Sequence, residues 1–443
     1  MARRQVYAVC ASLTATGHDV GDLSAAARLS GRHTRFNRWI EESVTARGVW
    51  GVSQQVDTMN LFDPDAYAQV RKPLLEAETL PPACYTSHEF FEREVSNIFL
   101  KCWNLIGRAE YLKTAGDYFT ASLVGVSLII IRGEDGYIRA FINSCRHRGA
   151  KLLEGTGNCK AIRCPYHSWL YSTAGDLRAP NGMQETRNFD PSQFGLTQVR
   201  LDEWSGFLFV NLDPGCASLR KYLGDIDMFT ASYEFEKMVT VRRKDLTVRT
   251  NWKSYIENSL ENFHLPTVHQ GTIGGVKAQW NPVDGAPGNY ALLQSRTTAS
   301  RATLGGAAAF DRIATLRGPA AEGAQYILIY PCSVIGADLD CMWFKQMAPD
   351  GPHVVQYSAG FCFPRASVER PDFAQIVPNY HKRFDLVISE DNGIAEVQLQ
   401  GLSNPFSRPG RFSSLEPLVH TIDNWILDRV LGQQSIQQRT AAE

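Results

Sequence analysis

Ser144-Cys-Arg-His-Arg-Gly149 and, with sixteen residues between its histidine and the next cysteine, Cys164-Pro-Tyr-His-Ser-Trp169 decide how this chain is read. Each segment offers one thiolate and one imidazole from a short loop, and Gly149 and Pro165 suit tight turns. Cys145, His147, Cys164 and His167 can therefore close around metal from two neighbouring loops. Zinc competes for such a set, because two cysteines and two histidines also make a closed tetrahedral site. Zinc fingers, however, pair C-x2-4-C with H-x3-5-H instead of mixing one Cys and one His per loop. In one kind of two-iron cluster the cysteines hold one iron and the histidines the other, which raises the potential above that of all-cysteine clusters.

Around these loops the pattern is that of strands. Tyr118 to Phe141 alternates or runs apolar, broken by Gly125 and the turn Gly133-Glu-Asp-Gly136, and Gly206-Phe-Leu-Phe-Val-Asn211 closes the region. Upstream, Phe90, Val95, Ile98, Phe99 and Trp103 fall near one helical stripe. The spacing divides the chain into a poorly determined extension (1–57), a helical lead-in packing on the C-terminal domain (58–104), a small β domain (105–213) and a larger α+β domain (214–443). Within the last, the Gly/Ala-rich stretch Gly271 to Gly323 reads as a lid or a ligand-ordered segment.

A second constellation lies in Asn251-Trp-Lys-Ser-Tyr-Ile-Glu-Asn-Ser-Leu-Glu-Asn-Phe-His264, followed by Pro266 and His269. Read as one helix over Trp252 to His264, it puts Glu257, Glu261 and His264 on one face. Residues five apart diverge on an unbroken helix, so Pro266 is expected to bend the chain and bring His269 toward His264. Two histidines and a carboxylate with open positions form the facial triad of non-haem Fe(II) sites. A solvated acidic helix face is the competing interpretation of this segment.

The bulk numbers are those of an ordinary globular protein: 443 residues, 44 % apolar and 21 % charged. With 45 basic against 46 acidic residues and no basic run, the footprint of nucleic-acid binding is missing. Apolar runs fall short of the ~20 residues of a membrane span. The ten cysteines are scattered, as expected of reduced thiols, and Cys159 matches no ligand position. Met1-Ala-Arg-Arg before Val6 to Leu13 makes a poor secretory signal, so a cytoplasmic location is expected.

The C-R-H-R-G and C-P-Y-H-S-W segments resemble the Rieske domain of ring-hydroxylating and related Rieske non-haem iron oxygenases, and the likeness covers nearly the whole chain beyond residue 85. They differ from respiratory Rieske proteins, whose extra disulfide positions are here Arg148 and Tyr166. The resemblance implies a small β Rieske domain plus a larger helix-grip-like catalytic domain, an antiparallel sheet with helices. It implies a Rieske 2Fe-2S cluster on Cys145, His147, Cys164 and His167, and mononuclear Fe(II) on His264, His269 and Asp391. Asp391 follows from matching Glu390-Asp-Asn-Gly-Ile-Ala-Glu396 and the residues after it to the family's E-D-x4-E-x-x-Q-x-G-L, here with one extra residue before the Gly; Glu390 and Glu396 are the alternatives.

By the same resemblance Glu261 connects, across a subunit boundary, the iron of one protomer to a cluster histidine, His167 or His147, of its neighbour. Most relatives carry Asp there, and Glu is similar to the branch acting on choline, carnitine and glycine betaine. Asn258 then belongs beside the iron, and Trp252 and Lys253 support folding. The implied activity is mono- or dioxygenation, or oxidative demethylation, of a small aromatic or quaternary-ammonium substrate by the terminal oxygenase of a multicomponent system. Electrons come from NAD(P)H only indirectly, because no nicotinamide or flavin fingerprint is present and the reductase, with or without a ferredoxin, is a separate chain. A homotrimer or a multiple of it is expected, with or without a β subunit. An iron-sulfur electron carrier and a zinc-stabilised binding module are the readings from other classes. Pocket residues are sought among Tyr330, Trp343 and Phe344, with Arg296 or Arg301 meeting a carboxylate.

Overall fold

The computed structural model describes residues 60–274, 279–285 and 287–432; the extension expected over residues 1–57 lies outside them. The fold is α+β. Its first sheet contains β1 (Asn104–Arg108), β2 (Asp117–Leu123), β3 (Val126–Arg132), β4 (Ile138–Ile142), β5 (Thr156–Asn158), β9 (Gln198–Trp204) and β10 (Phe207–Asn211). The seven strands pair antiparallel in the order β1-β10-β9-β4-β3-β2-β5. The apolar run of β3 is buried continuously from Leu128 to Ile131. Its hairpin with β2 turns on Val124 and Gly125, both at positive φ, the two-residue geometry that matches strand twist.

A small three-stranded sheet, β6 (Ile162–Arg163), β7 (Leu170–Tyr171) and β8 (Leu177–Ala179), sits beside it. Ile129, Ile131, Phe141, Leu152, Ile162, Trp169 and Tyr171 make one core between them, and Cys145 and Cys164 are buried in that core.

The second large sheet follows the order β11-β17-β16-β15-β14-β13-β12, again antiparallel. Its strands are β11 (Met238–Val248), β12 (Gln279–Asp284), β13 (Tyr290–Arg296), β14 (Gly323–Ile329), β15 (Ser333–Ala337), β16 (Met342–Pro349) and β17 (Val355–Pro364). The Gly/Ala-rich stretch expected to be a lid thus contributes two strands, β12 and β13. Tyr290 to Ser295 is an unbroken buried run whose ladder hydrogen bonds outweigh the flanking glycines. The 30-residue helix Phe373–Leu402 covers one face of this sheet. Phe384 meets Phe361 at 3.8 Å between ring centroids and Trp343 at 5.2 Å, and Tyr380 meets Phe363 at 5.0 Å. Asp385 accepts from Arg242 at 2.8 Å and Lys244 at 3.0 Å.

The opposite face of the second sheet packs on β1 and β10 of the first, where Phe207 and Phe344 stand edge to face at 5.5 Å. The lead-in is helical at His88–Glu94 and continues as a single π-type turn over Val95–Phe99. It is anchored to the second half of the chain by charge. Lys253 Nζ donates to Glu94 Oε1 at 2.6 Å with both side chains fully buried, and Trp252 Nε1 donates to Glu94 Oε2 at 2.9 Å. Removing one partner strands the other's charge, so Lys253→Met is expected to cost about 3–5 kcal/mol in urea unfolding.

Candidate metal centres and cavity

The two cysteine loops have the same backbone form. Gly149 N donates to Cys145 O at 2.8 Å and Cys145 N to Ala150 O at 2.9 Å; Ser168 N donates to Cys164 O at 3.1 Å and Cys164 N to Trp169 O at 2.8 Å. The residue four after each cysteine is left-handed, Gly149 at φ +76° and Ser168 at φ +60°. A glycine marks the first turn in the sequence; no residue type marks the second. His147 and His167 meet with ring centroids 4.7 Å apart, and the Nδ1 atom of each is buried without a hydrogen-bond partner. Burial and the neighbouring His147 and Arg148 hold His167 below its ordinary pKa. Two imidazoles with unpartnered inward nitrogens, beside two buried cysteines, fit a metal group. A two-iron cluster, which takes two thiolates on one iron and two imidazoles on the other, suits this donor set.

Tyr171, which the sequence reading missed, has its hydroxyl 3.2 Å from Cys145 Sγ and accepts from Arg146 N at 3.1 Å. A hydroxyl hydrogen bond to a cluster sulfur is one of the levers on its potential. Trp169 stacks on His147 at 4.8 Å and 12°.

The second centre is His264, His269 and Asp391. The helix expected from Trp252 to His264 stops at Asn258, and a separate turn runs from Leu265 to Val268 with Pro266 in its first turn and His264 and His269 flanking it. Pro266 therefore opens a new helical turn instead of bending an old one, because its missing N–H is unneeded there. His264 and His269 stand 5.1 Å apart between ring centroids. Their Nε2 atoms lie 3.8 Å and 3.1 Å from Asp391 Oδ1. That oxygen is buried and accepts no well-directed hydrogen bond, which fits a cation at the point where the three converge. Each imidazole is gripped behind by a carboxylate: His264 Nδ1 is 2.5 Å from Glu261 Oε1 and His269 Nδ1 is 2.7 Å from Glu390 Oε2. Such partners fix the tautomer so that Nε2 faces the ion. Burial pushes Asp391 up, but His269 and Lys345 outweigh it and hold the carboxyl below its ordinary value; His269 is raised in turn by Asp391 and Glu390 against its own burial.

Of the two alternative carboxylates, Glu390 is thus bound behind His269 and also accepts from Thr272 Oγ1 at 2.7 Å, while Glu396 accepts from Arg249 N at 3.2 Å, away from the centre. Glu257 does not join Glu261 and His264. The helix ends between them, and Glu257 is buried where Tyr85 OH donates to it at 2.8 Å, while burial and the neighbouring Glu257 push the Asp423 carboxyl well above its ordinary value.

A cavity of about 80 Å³ opens on this centre. Asn258 and Ser259 line it beside Glu261, and the sheet contributes Leu293, Tyr326, Val334, Trp343 and Lys345. Leu293, Tyr326, Gly336 and Trp343 are directly opposed across four neighbouring strands, and a Cβ on Gly336 would collide with the Trp343 indole. Of the candidate pocket aromatics, Phe344 and Tyr330 are core: Phe344 follows Trp343 and so faces the opposite side, and Tyr330 lies past the end of β14 against Trp425. Of the two arginines, Arg301 is buried at the cavity and Arg296 is an exposed partner of Glu322.

With this geometry the comparisons fall into place. Residues 102–190 match the family described as "Rieske [2Fe-2S] domain" and residues 235–432 match "Ring hydroxylating alpha subunit (catalytic domain)". The chain thus carries a Rieske domain and a ring-hydroxylating α-subunit catalytic domain, and the two imply a Rieske cluster and a mononuclear iron. It is 35 % identical over 215 residues to the carnitine monooxygenase oxygenase subunit of Escherichia coli K12, covering 47 % of this chain and 58 % of that relative's length. It is 27 % identical over 372 residues to the chloroplastic choline monooxygenase of Beta vulgaris, covering 82 % and 78 %. Among solved structures, a quaternary ammonium Rieske monooxygenase in complex with L-carnitine aligns with a TM-score of 0.66 at 22 % identity, over 81 % of this chain and 96 % of that one. Naphthalene 1,2-dioxygenase from Rhodococcus sp. aligns with a TM-score of 0.66 at 18 % identity, over 81 % and 95 %. Both share the fold.

Glu390→Gln is expected to weaken ferrous-iron retention on dialysis by roughly 10–100-fold, and Glu396→Gln to leave it unchanged. Burial pushes the Glu257 carboxyl from its ordinary 4.5 up to about 7. The stability linked to its proton is complete below the unfolded value and is lost as pH rises through the folded one. Glu257→Gln, neutral throughout, should therefore raise Tm relative to the parent more at pH 8 than at pH 5.

Proposed function

We propose that this chain is the terminal oxygenase component of a multicomponent system. Dioxygen and electrons from a separate reductase, with or without a ferredoxin, serve to hydroxylate or oxidatively demethylate a small aromatic or quaternary-ammonium substrate. The observation that carries the reading is the convergence of the His264 and His269 Nε2 atoms on Asp391 Oδ1 at the mouth of a cavity, with a carboxylate behind each imidazole. Cys145, His147, Cys164 and His167 would hold the cluster, and His264, His269 and Asp391 the mononuclear iron. When bound, these groups supply one-electron redox chemistry and oxygen activation, with three protein ligands leaving room for small molecules.

The chain's own residues do the rest. Glu261 and Glu390 hold the imidazoles in one tautomer, and Leu293, Val334, Trp343 and Val387 exclude water from the cavity. Phe263, between Glu261 and His264, is 55 % exposed, as suits a segment at a subunit boundary. That supports an assembly, a homotrimer or a multiple of it on this reading, in which Glu261 lies near a neighbouring protomer. An electron carrier would need only the cysteine loops, and the cavity with its convergent ligands counts against it.

Purified protein loaded with iron and sulfide should absorb visible light, lose that absorption in Cys145→Ser, and keep it in His264→Ala/His269→Ala. The double variant should lose mononuclear iron and at least about 100-fold in substrate-dependent oxygen uptake with a surrogate reductase. Full uptake by the double variant, reloaded with ferrous iron, would refute the assignment.

A further inference from the structure

The helix Phe373–Leu402 presents to the cavity a single stripe, Arg383, Phe384, Val387, Ile388 and Asp391, at the 3.6-residue period. Its two ends differ in chemistry. Asp391 belongs to the metal centre, whereas Arg383, eight residues earlier and so roughly 12 Å along the axis, is a cation. Arg383 is 3 % exposed, and its Nε is buried with no hydrogen-bond partner. The carboxylate that answers it electrostatically is Asp338, already accepting from the backbone N–H groups of Arg301 and Leu339. Asp340, next to that, is occupied by Tyr380 and Ser300. Arg301 and Lys345 add two more buried cations to the lining, Lys345 lying 3.7 Å from Asp391 Oδ2.

The acidic residues of the lining, Glu261 and Asp391, are both engaged with imidazoles. Arg383 carries an unsatisfied buried donor at a cavity whose own acids are committed, a cost that an acceptor in that space removes, an anion most fully. The aromatic surface has a matching bias. Trp343 lies with its ring centroid 5.8 Å from Lys345 Nζ, so a cation laid against it meets a charge of its own sign.

We infer that the substrate of this cavity carries a carboxylate, or an anion of the same shape, seated against Arg383 at the end remote from the metal centre, with its apolar body along Trp343, Phe384 and Val387. This rests on the oxygenase reading and narrows its substrate class. A quaternary ammonium without an anionic group is then a poor ligand, and a molecule whose reacting carbon stands several bonds from its carboxylate is a good one.

The test is calorimetric titration of the iron- and cluster-loaded full chain, without reductase, with three probes of similar body. These are 3-phenylpropanoate, 3-phenylpropanamide and phenethyltrimethylammonium. The expected result is binding of the propanoate at least about tenfold tighter than the amide, with the ammonium weakest, the scale of one charge-assisted hydrogen bond. Arg383→Met should erase the preference while still binding the amide, which shows that the cavity is intact, and Arg383→Lys should keep part of it. Equal affinities, tighter binding of the ammonium, no binding of the propanoate, or a preference that survives in Arg383→Met each overturns the inference. If neither variant folds, the ranking in the parent protein decides alone. Oxygen uptake separates the two readings: anion preference without turnover on any substrate breaks the oxygenase reading, and turnover indifferent to charge breaks only this one.

Discussion

The arrangement depends on one oxygen atom, Asp391 Oδ1, being carried to the two imidazoles from more than 120 residues away in sequence. A short turn can set His264 and His269 side by side, but it cannot supply the acid. The helix Phe373–Leu402 must lie over the sheet in one register, because a shift of one residue would rotate its carboxylate about 100° off target. That register is held by the interlock of Phe384 with Phe361 and Trp343, by Tyr380 against Phe363, and by Asp385 between Arg242 and Lys244. The same helix turn that aims Asp391 inward places Glu390 behind His269. Adjacent acids on one helix thus take different tasks, one converging with the imidazoles and the other orienting one of them.

Electrostatics separates the rest of the buried charge into closed units. Lys253 and Glu94 neutralise each other where the lead-in meets the second domain, and burial raises the carboxyls of Glu257 and Asp423, which favours their neutral forms. Neither touches the metal centre. The cavity is different in kind, because a donor in its lining, Arg383 Nε, is buried without a hydrogen-bond partner. That unmet donor stands where the inferred substrate would sit.

The two regions proposed to hold metal differ in how they are built. In the first, both ligand pairs come from loops of matching backbone form, so local geometry does most of the positioning and a compact core of Trp169, Tyr171 and Phe141 supports it. In the second, local structure sets two ligands and long-range packing the third.

The chemistry-bearing residues were legible because their types and spacings are short-range: a Cys and a His within four residues, twice, and two His around a proline. Strand alternation likewise implied β domains, and it could have separated Trp343 from Phe344 had the period been applied residue by residue. What short-range pattern could not settle was anything decided by contact between distant segments. Glu257 shares a helical face with Glu261 only on paper, because the helix ends at Asn258 and packing takes Glu257 to Tyr85 and Asp423. Gly271 to Gly323 looked loose by composition, yet pairing with β14 makes strands of part of it. Sequence by itself determined which atoms are available to bind metal, since donor identity is a property of each residue. Only the tertiary structure decided which of them meet, and that Arg383 ends up facing the same cavity, since convergence depends on the register of a helix over a sheet that no local spacing encodes.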